Sequence, residues 1–425
     1  MLRENVVRLR RGLAIRAAGR LRPGVYSFAV GEDEPVLTVR ASDAVIDCTD
    51  VVLRAGRFGG AYARGVGLRA LNCERVEIIG LRTDGFQVGV HVLHSTDVIL
   101  RNVVCERTRR IPLDDNGEPE PLLLFEKSGW RRYGTGIWVE KSSGGSLIGC
   151  TAAGAQNGIT LDKATRVLAI GCDCARNSGW GIHLDRAASC RLVGNDCSEC
   201  GRPGDQLSAG IAINNGCSGN EVVSNDLTRC GIGLLLTGAH NERSDDNLIA
   251  SNDASGARTA GLYCTHSDRN RLVNNVVRDG PIGIGLVHAR DTSLVGNVLE
   301  DLGDAGIVVQ SGARVIVRGN RAARCRVAVI FRCPDGPGAP PADCRVVGNV
   351  LTGNGIAVRF DAGCQASIAG NWESGNKAFL VEGDQGPADA VAGGPPSPPP
   401  SPLPLRQAQG SGSGSPSPRG EGDGG

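Results

Sequence analysis

The sequence predicts an all-β solenoid, on three observations. First, a two-residue corner, its second member nearly always asparagine, closes a short apolar run eleven times, most often about 22 residues after the previous one. A fixed period of that size marks stacked units, each burying its apolar side against its neighbours. Second, the units open on glycine followed by alternating apolar residues, as in Gly136-Ile137-Trp138-Val139 and Gly181-Ile182-His183-Leu184. That is the period-2 pattern of a strand with one face inside. Third, the composition suits a narrow interior filled by small and aliphatic residues: 62 Gly among 425 residues, 4% aromatics and a single Met.

Along the chain, residues 6–18 place Val6, Leu9, Leu13 and Ala17 at helical spacing with arginines between them, predicting a short helix that caps the open end of the solenoid. The cap is assigned to residues 1–30 and the solenoid to 31–386, with about 11–13 coils. Asp43-Ala44-Val45-Ile46-Asp47-Cys48 begins the coils. Each later coil has a Gly-led strand, a second strand such as Arg191-Leu192-Val193 ending at the corner, and a weaker third strand with a variable loop. The corners run from Arg101-Asn102 through Gly149-Cys150, Gly171-Cys172, Gly194-Asn195 and Ser224-Asn225 to Gly348-Asn349 and Gly370-Asn371. Asparagine tolerates the left-handed conformation of a tight bend, and its amide can bond the equivalent position one coil away. Cys150 and Cys172 are expected to interrupt that ladder. Residues 387–425, rich in Pro, Ser and Gly, cannot bury a core and read as a disordered tail.

Composition narrows the function classes. Lys and Arg number 46 against 45 Asp and Glu, a net charge of about +1 that offers no electrostatic footprint for nucleic acid or an anionic membrane. The 16 cysteines fall largely at repeat-equivalent places and read as small buried fillers rather than a disulfide framework. Cys172-Asp173-Cys174 and Cys197-x-x-Cys200 lack a second pair at zinc spacing. No apolar stretch reaches the roughly 18 residues of a membrane span. Residues 1–22 are too rich in Arg for a signal peptide, so the chain reads as cytoplasmic as it stands, and as secreted if its start is incomplete.

Gly-Ile-x-Leu, a turn, then Leu-Val-Gly-Asn at a repeat of about 22 resembles the right-handed parallel β-helix of the pectate-lyase-like superfamily over about residues 40–380. The resemblance implies a single-stranded right-handed parallel β-helix whose Gly-led sheet usually carries a polysaccharide groove. It implies no single activity, because the superfamily holds lyases, hydrolases, epimerases and non-enzymes. Polygalacturonase motifs are replaced here by Phe86-Gln87-Val88, Ala155-Gln156-Asn157 and Ser178-Gly179-Trp180. The Asp-Pro-His-Asp signature of mannuronan epimerases and the pectate-lyase arginine motifs are also missing.

Stacking turns the repeat into a map, with coils about 4.8 Å apart. Counting from each glycine, the second and fourth residues face outward and the fifth begins the turn. The second place reads His91, Trp138, Thr160, His183, Ala212, Gly233; the fourth reads Leu93, Glu140, Asp162, Asp185, Asn214, Leu235; the fifth reads His94, Lys141, Lys163, Arg186, Asn215, Leu236. Three consecutive coils therefore align Glu140, Asp162 and Asp185, flanked by Lys141, Lys163 and Arg186 and by Trp138 and His183. Insertions at residues 106–133 and 201–208 are placed to wall a groove over this row. His91, His94, His266, His288 and Tyr263 are assigned ordinary surface roles.

The row admits several chemistries. Glu140, Asp162 and Asp185 supply oxygen ligands of the kind Ca²⁺ takes. Lys163 or His183 can act as base, Asp185 and Arg186 complete the catalytic set with Arg186 countering developing charge, Lys141 binds substrate and Trp138 stacks on a sugar. That set suits β-elimination or C5-epimerisation of an acidic polysaccharide. Two of the same carboxylates also suit glycoside hydrolysis, since adjacent and alternate coils give separations of roughly 5 and 9.6 Å. A non-catalytic glycan-binding or structural β-helix is the third reading.

Overall fold

The computed structural model describes residues 6–56, 63–110, 134–202, 207–238, 242–333 and 339–383. Every regular element among them is a β-strand. Consecutive strands lie on different faces, and each pairs in parallel with its equivalent one coil on. Among the described residues one face is a continuous 15-stranded sheet, with 13 of its strands inside residues 31–386 and two before it, in the region assigned to the cap. The two beyond 13 lie at the N-terminal end, formed by Val6–Val7 and Gly19–Leu21.

The Gly-led face runs from Leu13–Ile15 and Pro35–Val39 through Val66–Leu71, Val88–Leu93, Thr135–Glu140, Asn157–Asp162, Trp180–Asp185 and Ala209–Asn214 to Ala378–Glu382. The third face begins with Gly24–Phe28, Val51–Ala55 and Arg82–Asp84. Between Thr151 and Asp253 it thins to single bridges, then becomes continuous strand again. In Val276–Val287 and Val298–Gln310 one strand bends from the third face into the Gly-led face without a break.

Alternation fills the interior. Ile137, Ile159, Ile182, Ile211, Leu234, Leu262 and Ile284 form one fully buried column in register. Stacked branched side chains gain burial from the coil above and the coil below, at about 25 cal/mol per Å². The glycine at each strand start answers a close approach: a Cβ on Gly158 would stand 2.4 Å from the Gly181 carbonyl oxygen. In the coil after Asn214 the register glycine is therefore Gly233, not Gly231, which puts Leu235 and Thr237 in the second and fourth places.

Asparagines 195, 225, 252, 275, 297, 320, 349 and 371 form a ladder in which each amide nitrogen donates to the next side-chain oxygen at 2.8–3.0 Å. The same oxygen accepts the backbone N–H of the asparagine one coil back, so two buried donors share it. The left-handed residue at each corner is the first member, not the asparagine: Gly194, Ser224, Ser251, Asn274 and Gly296 have φ of 53–66°. Asn102 likewise takes φ 52°, so it matches Gly149 and the first corner is Asn102-Val103. Cys150 and Cys172 replace the first rungs, each directing its Sγ to a backbone carbonyl, while the Cys172 N–H donates to Asn195 Oδ1 at 3.0 Å.

The capping helix is a correction. Residues 6–21 form the strands Val6–Val7, Leu13–Ile15 and Gly19–Leu21, which pair with later coils. The buried residues are Leu9, Ile15 and Leu21, a set that is not at helical spacing, and Gly12 turns the chain at φ 73°. Glycines at 12 and 19 weaken a helix there, and pairing to the sheet edge satisfies the backbone instead. The tail assigned to 387–425 lies outside the described residues.

Candidate functional site

The acidic row is in register: Glu140 pairs with Asp162, and Asp162 with Asp185, on three successive strands. The flanking column runs His91, Trp138, Thr160, His183 and Ala212. Each strand ends in a left-handed residue, His94, Lys141, Lys163, Arg186 and Asn215, with φ of 46–53°. These turns aim the basic side chains away from the sheet, beside the carboxylates that precede them. The row is more buried than an open groove floor: Glu140, Asp162 and Asp185 retain 3–4% of their surface.

The three carboxylates meet different partners. Glu140 Oε2 lies 3.1 Å from His91 Nε2 and Oε1 lies 3.3 Å from Lys141 Nζ. Burial pushes its pKa up, but these donors outweigh burial and hold the carboxyl below its usual range. Asp185 is tied on both oxygens, to Arg186 at 2.8 Å and to Asn215 Nδ2 at 2.7 Å. Asp162 lies between them with its Oδ1 buried and without a hydrogen-bond partner. Burial and then repulsion from Asp185 raise its pKa from 3.8 to about 6, against the pull of Lys163. On the same coil Thr160 Oγ1 is also buried and unpartnered. Orphaned polar atoms in a folded interior are expensive, and the strand Asn157–Asp162 carries two of them in the middle of the acidic row.

Histidine roles differ from the surface assignment. His91 is buried, stacks on Trp138 at 4.3 Å and 13°, and its Nδ1 accepts from Arg69 Nε at 3.2 Å. That contact leaves the ring proton on Nε2, facing Glu140. Arg69, one coil below, is thus a site residue that sequence reasoning missed; extending the column one coil past Gly89 finds it at the same place. Trp138 retains 7% of its surface and one ring face is covered by His91, so it is not an open sugar platform. His183 packs on Trp180 at 4.3 Å, with Asn214 Nδ2 3.1 Å from its Nε2. Burial lowers its pKa to about 4 despite Asp185, so the ring is neutral near pH 7. His266 and His288 contact one another at 4.7 Å farther along the fold, while His94 is exposed.

Beside the row, a shallow depression of about 400 Å³ is lined by His94, Lys141 and Lys163 with the hydroxyl residues Ser95, Thr96, Ser142, Ser143 and Thr165. Lys163 is exposed and makes no ion pair among the described residues. The expected groove walls fall on residues 111–133 and 203–206, which lie outside the described residues.

The carboxylates do not fit Ca²⁺. That ion takes six to eight oxygens, whereas Glu140 and Asp185 are committed to nitrogen donors and only Asp162 Oδ1 is left over. Among the described residues no group of three or more His, Cys, Asp or Glu is gathered as a metal site would be, the Cys172/Cys174 and Cys197/Cys200 pairs included. Those cysteines are buried fillers, as expected.

Two family models match parts of the chain, each less than half of it. One, described as "Right handed beta helix region", matches residues 66–243, and the other, "Periplasmic copper-binding protein (NosD)", matches residues 228–378. No curated protein matches. Among solved structures, the periplasmic alginate epimerase AlgG is similar at 13% identity and a TM-score of 0.51, over 83% of this chain and 79% of that one. The A-module of the Azotobacter vinelandii mannuronan C-5 epimerase AlgE6 is similar at 14% and 0.55, over 84% and 91%. A pre-mature bacteriophage phi29 gene product is similar at 15% and 0.56, over 91% of this chain and 54% of its own. The likeness is one of fold, and with the parallel sheets above it identifies the chain as a right-handed parallel β-helix repeat protein.

Proposed function

We propose that the chain acts on an acidic polysaccharide, removing the proton at C5 of a uronate residue, with elimination or C5-epimerisation as the outcome. The observation that carries this reading is the buried, unpartnered Asp162 carboxylate beside the unpaired Lys163. A base needs a free lone pair and a pKa near the working pH, and Asp162, at about 6, has both. Lys163 and Lys141, at the rim of the hydroxyl-lined depression, would receive the substrate carboxylate and balance the charge that builds on it as the C–H pair delocalises. The electron pair then either expels O4 or takes a proton back on the opposite face.

Other roles shift accordingly. Arg186 is spent on Asp185, and neutral His183 is a poor base at its lowered pKa, so both position the row. The Arg69–His91–Glu140 chain holds a second negative charge one coil from Asp162 and helps to keep its pKa raised. The alginate and mannuronan activities of two structures with this fold make uronate polymers the first substrates to try, and the periplasmic AlgG makes an exported compartment the first to examine.

One observation favours hydrolysis as the second reading. Asp162 is raised and Glu140 lowered on adjacent coils, which is how an acid and its partner carboxylate divide their roles. Purified protein should be incubated with uronate polysaccharides: elimination yields unsaturated ends absorbing in the ultraviolet, epimerisation changes C5 configuration by NMR, and hydrolysis yields only saturated reducing ends. Asp162→Asn is expected to lower turnover by about 100-fold or more while binding persists. Unchanged turnover in that variant, or binding without turnover by the parent chain, would sink the catalytic reading.

A further inference from the structure

Fifteen of the 16 cysteines are buried, and most direct Sγ at a backbone carbonyl inside the coil stack. Cys333, just after the strand Val327–Arg332, is the exception in burial only: it is half-buried, and its Sγ also lies on a backbone carbonyl, that of Ala362 at 2.8 Å. Its Sγ lies 3.3 Å from Cys364 Sγ, which follows the next Gly-led strand, Ile356–Phe360. Those two strands are in register through Phe331 and Phe360, whose rings stack at 5.1 Å, so the corner that brings the sulfurs together is braced by packing. A disulfide needs a separation of about 2.05 Å, so the two sulfurs, already in contact at 3.3 Å, have little distance left to close.

We propose that Cys333 and Cys364 form a disulfide that staples two successive C-terminal coils. The oxidant required is a small-molecule disulfide. The Cys333 thiolate, the more accessible of the two, attacks one sulfur of the oxidant and releases a thiolate. Cys364 then gives up its proton and attacks the Cys333 sulfur, releasing the second thiolate. Two protein thiols are oxidised and one disulfide is reduced to two thiols. Burial, Cys333 and Asp361 together push the Cys364 thiol up to about 12, so closure is the slow step and the mixed disulfide on Cys333 accumulates first.

The bond has a structural purpose at this end of the solenoid. Among the described residues the last strand, Ala378–Glu382, pairs on one side only, with Ile356–Phe360, and Trp372, Phe379 and Leu380 are 39–60% exposed. End coils open most readily because each repeat is held only by its neighbours. Linking Cys333 to Cys364 fastens the coil on which that last strand rests.

The test is peptide mapping after the folded chain is incubated with oxidised glutathione, then denatured and alkylated. The expected result is that two of the 16 cysteines escape alkylation, joined as a Cys333–Cys364 peptide two hydrogens lighter, preceded by a glutathione adduct on Cys333 and reversed by reductant. Cys333→Ser should leave Cys364 free and alkylated, and Cys364→Ser should halt the reaction at the adduct. Oxidation should also slow amide exchange in Ala378–Glu382. Sixteen alkylated cysteines, a cross-link elsewhere, or a cross-link that leaves that exchange unchanged overturns the proposal.

Discussion

Asp162 is the residue on which most of the site's chemistry turns, and its environment makes a measurable demand on stability. Its carboxyl titrates at about 6 when folded, up from 3.8, so the folded chain binds that proton more tightly than the unfolded one. The stability this lends is fully present below about pH 4 and is lost as pH rises through 6, an effect of about 3 kcal/mol. Asp162→Asn removes the titration. The variant should therefore gain on the parent as pH rises from 4 to 8, read as the difference in denaturant midpoint at each pH. A difference that stays flat with pH removes the claim that this carboxyl is perturbed. Glu140 behaves oppositely because His91 and Lys141 donate to it, although both acids occupy the same place in the repeat. Sequence could align the two acids. It could not tell them apart, because the difference comes from Arg69, His91 and Asp185 on other coils.

At the scale of the element, the strand and its corner were legible where the repeat was regular. The Gly-led strand, the inward column and the asparagine ladder all follow from spacing. Misreadings arose where a local pattern had two solutions. Gly231 and Gly233 both precede apolar residues, and only contact with Gly210 and Gly261 selects Gly233. Residues 6–18 carry a helical stripe, but an available sheet edge competes for their backbone groups and wins. The ladder predicts a graded response. Asn297→Ala strips acceptors from two donors of Asn275 and leaves buried groups unpaired on both sides, for a loss of about 3 kcal/mol. Asn371→Ala, at the half-buried last rung, should cost only about 1 kcal/mol. Equal losses in chemical denaturation would argue that the ladder is decoration on a stack held by apolar packing alone.

Over the whole molecule, stability is a sum of coils and nearest-neighbour contacts, so order should fall toward the ends. Amides of Ala378–Glu382, with a neighbour on one side among the described residues, are expected to exchange roughly tenfold or more faster than those of Ala260–Thr265, which are paired on both. Hydrogen exchange resolved by peptide checks this, and uniform protection would instead indicate one cooperative block. Sequence by itself determined that the chain is a stack and, where the repeat is regular, which side chains share a row, because a parallel solenoid converts period directly into register. Tertiary structure alone decided that the row is buried, that Glu140 and Asp185 have partners while Asp162 does not, that Trp138 is covered by His91, and that Cys333 meets Cys364. Those outcomes depend on competition among atoms from coils 22 to 49 residues apart in sequence, and on how much water reaches them. Neither quantity is periodic, so the repeat that reveals the fold carries no record of them.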